Sequence, residues 1–453
     1  MVRRFFASLL RPFTRVEAHE VAGVVLMTLA AFLLLTAYYL LKTVREPLIL
    51  LQGGAEVKLY ARAGQAVIMT GVVYAYGELA RRVGRMKLLA IVFLFFVSNL
   101  CVFAVLARTT VPIALPFFLW VGVFSYTIVA QFWALAADIH TEEQGKRLFP
   151  IIGAGSSIGA VVGAKIAQHL VPYGPSMLMT VAVFVLLVCV GLVVWIERRA
   201  LHAEHTGEKH PDEPLAEVGA FHLLARDKYL LFIAALVVLL NWVNSSGEYL
   251  LDRTLVAAAK ESGNGMAYVG AFKGNYYAWY NGIGVALQLF AVSRILRVAG
   301  VRKALFFMPV FALGAYATAA LLPVIAVMRV VKIGENSLQY SLQDTTRHAL
   351  FLVTSRAEKF VGKTAVDTIA VRIGAIMSAL FVFVGTRHGW STARFAAINV
   401  ALAAAWLGCA FLIGREHRRR SAERGLSSAS NGTRIDSDGP RAVRPDGGAR
   451  RAA

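Results

Sequence analysis

Lys58, Arg62 and Gln65 fall at i, i+4 and i+7 inside an apolar stretch, a spacing that puts them on one face of a helix. The pattern recurs. Asn241, Asn244, Ser245, Glu248 and Asp252 form a second stripe, and Lys273, Tyr277, Tyr280, Asn281 and Gln288 a third. Lys332, Glu335, Asn336, Gln339 and Gln343 form a fourth, with Arg329 one turn earlier, while Lys363 and Asp367 share a face apart from Arg372. An ionisable group at a bilayer centre costs about 2.5–3.5 kcal/mol on insertion scales, so such stripes face a wet cavity. With Lys42, Arg45, Lys165 and Arg253 counted, cations outnumber acids in these stretches. Arginine forks and lysine ammonium groups are the side chains that hold phosphate.

The chemistry these residues offer is therefore capture of a phosphorylated anion by Lys58, Arg62, Lys273, Lys332 and Lys363. Tyr277, Trp279 and Tyr280 offer aromatic faces on which a base could stack. Glu248, Asp252, Glu335 and Asp367 are expected to pair with the cations when no anion is bound and to release them when one arrives. Lys42, Arg45, Lys165 and Arg253 stand near helix ends and read as salt-bridged or snorkelling side chains.

No residue set is placed for catalysis or for a metal. His140, His348 and His388 are scattered at helix ends, and Cys101, Cys189 and Cys409 lie inside apolar runs. An enzyme and a bound cofactor are not expected. AEKFVGKT (357–364) resembles a degenerate Walker A pattern but opens a membrane helix, so hydrolysis is not expected; Lys363 there can still attract phosphate. Gly155, Gly159 and Gly163, four residues apart, suit close helix packing.

The elements that position these residues follow from composition. Of 453 residues, 57% are hydrophobic and 16% charged, against about 25% charged in soluble proteins, which excludes a water-soluble enzyme of this length. Apolar windows of about 20 residues predict spans at 21–42, 57–79, 88–107, 111–136, 149–171 and 176–196, then at 228–251, 266–291, 303–322, 324–342, 363–386 and 391–413. Lipid cannot satisfy an open sheet, so these are helices. YLLKTV (39–44) echoes YLLDRT (249–254), LARRVGRMKLL (79–89) echoes SRILRVAGVRKAL (293–305), and 132–150 stands where 340–350 stands. The expected fold is an all-α membrane protein of twelve transmembrane helices in two six-helix repeats, of major-facilitator type, with the substrate site between them.

Basic residues set the orientation. Arg3, Arg4, Arg11 and Arg15 precede the first window, Arg81, Arg82, Arg85 and Lys87 follow the second, and Arg198 and Arg199 follow the sixth. All share one face, which the positive-inside rule makes cytoplasmic, with both termini. The divisions expected are 1–20 (amphipathic N-terminus), 21–197 (six-helix bundle), 198–227 (cytoplasmic linker), 228–414 (second bundle) and 415–453 (disordered basic tail). The formal charge is +20, and the tail's ten arginines against five acids suit anionic lipid rather than nucleic acid.

Several stretches together resemble the ATP/ADP translocases of intracellular bacteria and plastids. The strongest are FWALAADIHTEEQGKRLFPIIGAGSSIG, YVGAFKGNYYAWYNGIG and YSLQDTTRHALFLVTSRAEKFVGKTAVDTIAVRIGA, with LLKTVREPL and GAEVKLYARAG looser. The resemblance implies exchange of ATP for ADP, or movement of other nucleotides, without hydrolysis. It places Lys58 at a helix-2 lysine of that family, Glu248 at a helix-7 glutamate, Lys363 and Asp367 in its GKxxxD, and Asp138, Lys146 and Arg147 in the motif after helix 4, which implies for Asp138 a charge-pair role that is conformational. Asp252 stands where the family pattern leads one to expect a lysine, and Lys273 and Arg62 where it leads one to expect apolar residues. The expected protein is a monomer in a bacterial inner membrane that exchanges nucleotides and touches lipid. The alternative is a proton-coupled carrier of another phosphorylated or organic anion, with Glu248 or Asp367 carrying the proton.

Overall fold

A computed structural model of the chain describes residues 20–83, 85–140, 142–202, 227–351, 354, 363 and 366–435. The described residues form helices and connecting turns, with no strand among them. In chain order the helices are α1 (Val21–Gln52), α2 (Gly54–Arg82), α3 (Arg85–Leu106), α4 (Ala114–Ile139), α5 (Glu142–Leu170) and α6 (Pro175–His202). After the linker come α7 (Lys228–Glu261), α8 (Gly265–Leu287) and α9 (Ser293–Leu321). The last are α10 (Ile325–Leu338, continued as Asp344–Leu350), α11 (Val371–Arg387) and α12 (Thr392–Ile435). Single π turns lie at Gln288–Val292, Gln339–Gln343 and Val366–Ala370.

Seven described stretches are long and apolar enough to cross a membrane: Val21–Gln52, Ala114–Ala137, Arg147–Tyr173, Pro175–Ile196, Lys228–Glu261, Gly265–Leu321 and Thr392–Arg420. The difference from the expected twelve has identifiable causes. The windows at 266–291 and 303–322 merge into one 57-residue stretch, which Gly300 breaks at φ 72°, a left-handed value that glycine adopts freely. Ala90–Leu106 is short, and α11 has 17 residues. Glu56, Lys58 and Arg62 make α2 too polar, and Arg329, Lys332 and Glu335 do the same to the first segment of α10. The stripes that carry the chemistry are what hide these helices from a hydropathy criterion.

Helix α1 packs on α4, α5 and α6, and α12 on α7 and α9. The first and second groups of helices meet where α8 lies on α5 and α1, and where α2 lies on α7 and α11. The α1–α5 contact is set by the three glycines. A Cβ on Gly155 would come within 2.5 Å of the Thr28 carbonyl oxygen, on Gly159 within 2.2 Å of that of Phe32, and on Gly163 within 2.5 Å of that of Thr36. A Cβ on Gly274 of α8 would likewise come within 2.9 Å of the Ala164 carbonyl oxygen of α5. Small residues let backbones approach where no hydrophobic force drives association.

Asp227 caps α7 by accepting from Tyr229 N (2.8 Å) and Leu230 N (3.2 Å). Arg420 also pairs with Asp227 at 2.6 Å, tying the end of the last span to the start of α7. Helix α12 runs on to Ile435, so 415–435 of the tail expected to be disordered are helical. Residues 1–19 of the expected amphipathic segment (1–20) and the tail beyond 435 lie outside the described residues, as does 203–226 of the linker.

Gly159→Leu is expected to cost about 3 kcal/mol, because a side chain must force α1 and α5 apart against backbone. Gly153→Leu, where nothing lies within 4 Å of the added Cβ, is expected to be tolerated. Thermal unfolding and monodisperse yield in detergent check the pair.

Candidate functional site

The densest charge in the described interior lies where α1, α2, α7 and α8 converge. Glu46 of α1 is fully buried and precedes Pro47, which has no N–H to offer the Thr43 carbonyl one turn back, so the helix is weakened at this point. Glu248 and Asp252 sit at i, i+4 on α7, facing Lys58 of α2 and Lys273 of α8. Lys58 Nζ donates to Glu46 Oε2 and to Asp252 Oδ2 (2.6 Å), and lies 3.5 Å from Glu248 Oε1. Lys273 Nζ lies 2.6 Å from Asp252 Oδ1, 2.9 Å from Glu248 Oε1 and 3.8 Å from Glu46 Oε2. Each ammonium group therefore touches all three carboxylates. Arg45 Nη2 pairs with Glu46 Oε1 at 3.0 Å, so three cations balance three acids. Ions taken out of water are tolerated only when paired and hydrogen-bonded in this way.

The three carboxylates lie within 4.8 Å of one another, a spacing that would suit a metal ion, but the two ammonium groups fill that role here. The neighbouring cleft, lined by Lys58, Arg62, Ser245, Glu248, Tyr249 and Asp252, is too narrow to admit a water molecule.

A second network lies within α7 to α10. Lys332 Nζ donates to Glu335 Oε2 (2.7 Å) and to the Asn244 carbonyl (3.1 Å), and Tyr316 Oη donates to Glu335 Oε2 (2.6 Å). Asn244 Nδ2 donates to Asn336 Oδ1 (2.9 Å) and to Gln339 Oε1 (2.6 Å) at the π turn. Asn336 Nδ2 donates to Tyr276 Oη (2.6 Å), which in turn donates to Glu248 Oε2 (3.1 Å). Tyr276 thus joins the two networks through one hydroxyl.

The remaining candidates are dispersed. Tyr277 and Tyr280 pack beside the ion cluster, with Tyr39 and Lys42 of α1. Trp279 does not join them: it is 54% exposed, because position 279 faces away from the helix surface shared by 276, 277 and 280. Arg62 is half-buried beside the cleft and makes no ion pair among the described residues. Asp367 pairs with Arg347 at 2.8 Å, and Lys363 lies within electrostatic reach of His348 beside them, a group separate from the buried cluster. The side chain of Asp138 lies outside the described residues.

Glu46, Tyr39 and Tyr276 lie outside the polar stripes that the sequence shows. A carboxylate directly before a proline in a run of apolar residues, and a tyrosine adjoining Tyr277 in NYYAWY, were the available signals.

The fold is shared with solved transporters. A bacterial homologue of the human lysosomal transporter Spinster, in an inward-facing and unoccupied conformation, is 12% identical, with a TM-score of 0.59 over 89% of this chain and 99% of that one. The nucleoside transporter NupG gives 0.60 at 12% identity over 86% and 98%, and the POT family transporter PepTSo gives 0.62 at 11% over 88% and 98%. The chain shares the fold of these transporters, and its seven long apolar stretches make it a multi-pass membrane protein. The sequence profile of the TLC ATP/ADP transporter matches residues 2–113 and 117–417, and the chain belongs to that family. ADP,ATP carrier protein 1 of Chlamydia pneumoniae is 23% identical over 329 residues, 62% of this chain and 63% of that protein. ADP,ATP carrier protein 1 of Chlamydia trachomatis is 24% identical over 330 residues, 62% of this chain and 61% of that protein. The match thus spans less than two thirds of either chlamydial carrier. ADP,ATP carrier protein 4 of Rickettsia conorii is 20% identical over 462 residues, 83% of this chain and 87% of that protein.

Lys58→Met leaves Glu46 and Asp252 short of a partner and is expected to cost about 3–5 kcal/mol, whereas Lys58→Met with Asp252→Asn is expected to recover much of that loss. Thermal unfolding of the three proteins checks the ordering.

Proposed function

We propose that the protein is a secondary transporter that exchanges ATP for ADP across a bacterial inner membrane, without hydrolysis and with both termini cytoplasmic. The observation that carries this reading is the buried cluster in which Lys58 and Lys273 are held by Glu46, Glu248 and Asp252, from α1, α2, α7 and α8. The family and the names of the carriers it resembles supply the substrate class.

The two halves are 21–197 and 228–414, each of six helices, and they rock about the site between them. With no nucleotide bound, the acids hold the cations and tie α1 and α2 to α7 and α8. An incoming polyphosphate offers more negative charge than the carboxylates it displaces, and its oxygens take Lys58, Lys273 and Arg62 as the ion pairs open. Lys332 is released from Glu335 in the same way, and Lys363 from its surroundings beside Asp367 as the substrate passes. Tyr277 and Tyr280 present ring faces to the base. A carrier held shut by its own ion pairs when empty reorients only when loaded, which is the physical basis of strict exchange.

Purified full-length protein in liposomes loaded with ADP is expected to take up labelled ATP, with little uptake into empty liposomes and no effect of an uncoupler. A non-hydrolysable ATP analogue is expected to exchange as well. Uptake that is indifferent to internal nucleotide and abolished by the uncoupler would contradict the proposal.

A further inference from the structure

Lys42 reads from the sequence as a helix-end lysine, but its side chain points into the interior beside the ion cluster. Its neighbour one turn on, Glu46, is the natural i, i+4 partner, yet both Glu46 oxygens are taken, Oε1 by Arg45 and Oε2 by Lys58. Lys42 Nζ is left in a cage of aromatic rings. It lies 4.5 Å from the ring centre of Tyr277 and 4.9 Å from that of Tyr39, and it donates to the Tyr280 hydroxyl at 2.9 Å. Tyr38 closes a further side at 5.8 Å. The cage is braced by its own hydrogen bonds: the Tyr39 and Tyr280 hydroxyls are 3.2 Å apart, and Tyr39 Oη donates to Asn281 Oδ1 at 3.1 Å.

Three lysines of the interior, Lys58, Lys273 and Lys332, are almost fully buried and bound to carboxylates. Lys42 differs on both counts. It is half-buried, and no carboxylate lies within ion-pair distance of it among the described residues. Aromatic faces hold a cation without neutralising it. An anion approaching Lys42 therefore displaces no carboxylate, whereas at Lys58 or Lys273 it must first open an ion pair. Arg45 and Arg62 act on Lys42 electrostatically, and so do Glu46 and Glu248 with the opposite sign, so what sets Lys42 apart is the absence of a direct carboxylate partner.

We propose that Lys42, in its tyrosine cage, is a phosphate-contact residue of the substrate site and the cation that an entering polyphosphate engages before the ion pairs of Lys58 and Lys273 open. The assignment rests on the nucleotide-exchange reading for its substrate, but its geometry requires only an anion bearing phosphate oxygens.

The test uses the full chain in ADP-loaded liposomes, with Lys42→Gln, Lys42→Arg and, as a second neutral variant of similar bulk, Lys42→Met. The neutral variants are expected to raise the KM for labelled ATP by about tenfold or more, the scale of a lost charge-assisted hydrogen bond, while Lys42→Arg stays within about threefold of wild type. A KM unchanged in the neutral variants would overturn the proposal. A wild-type protein that exchanges no nucleotide would overturn the nucleotide reading instead, and Lys42 is then judged by inorganic pyrophosphate alone. In detergent, pyrophosphate is expected to raise the melting temperature of wild type and Lys42→Arg but not of the neutral variants. An equal rise in the neutral variants, or none in wild type, would overturn the assignment.

Discussion

Two ammonium groups, each touching the same three carboxylates in a water-excluded interior, are the interaction on which the rest of this structure depends. Away from water none of these five groups is stable alone, and each becomes tolerable only because the others are within about 4 Å. The helices must therefore converge closely and in one register. The glycines meet that demand: Gly155, Gly159 and Gly163 bring α5 against α1, which carries Glu46, and Gly274 brings α8 against α5, one residue beyond Lys273. Packing of small residues and pairing of charges are thus two halves of one constraint.

The cluster is also electrically closed. Arg45, Lys58 and Lys273 balance Glu46, Glu248 and Asp252, and Tyr276 carries the connection onward to Asn336, Asn244 and the Lys332–Glu335 pair. On the exchange reading, a substrate does not fill an empty positive pocket. It competes with carboxylates for lysines that are already satisfied, which couples binding to the loosening of contacts between α2 and α7. Pro47 beside Glu46 and the π turn at Gln339–Gln343 put weakened backbone at both networks, where such a rearrangement needs it.

Much of this was legible in the sequence. Helical spacing alone identified the polar faces of α2, α7, α8 and α10, and the glycine spacing marked a close-packing face on α5. What periodicity cannot supply is the partner. Lys58 and Lys273 were expected to face a cavity with a positive surplus, and their neutralisation by Glu46 depends on a helix whose acid stands alone in an apolar run. Lys42 was misplaced for a related reason: position near a helix end suggests snorkelling, but α1 continues to Gln52, so Lys42 lies well inside it. Trp279 was grouped with Tyr277 and Tyr280 by residue type, although its angle around α8 sends it outward. The apolar windows predicted twelve spans, but α2 and α10 carry charged stripes and are not among the seven stretches long and apolar enough to cross a membrane.

The central claim is that the ion cluster holds the empty carrier shut. Net efflux of labelled ADP from loaded liposomes into nucleotide-free medium tests it directly, since efflux without exchange requires the empty protein to reorient. Wild type is predicted to release little, and Asp252→Asn, which removes one carboxylate from both lysines, is predicted to gain net efflux. Free efflux through wild type, or a variant that folds and still moves ADP only in exchange, would contradict the account.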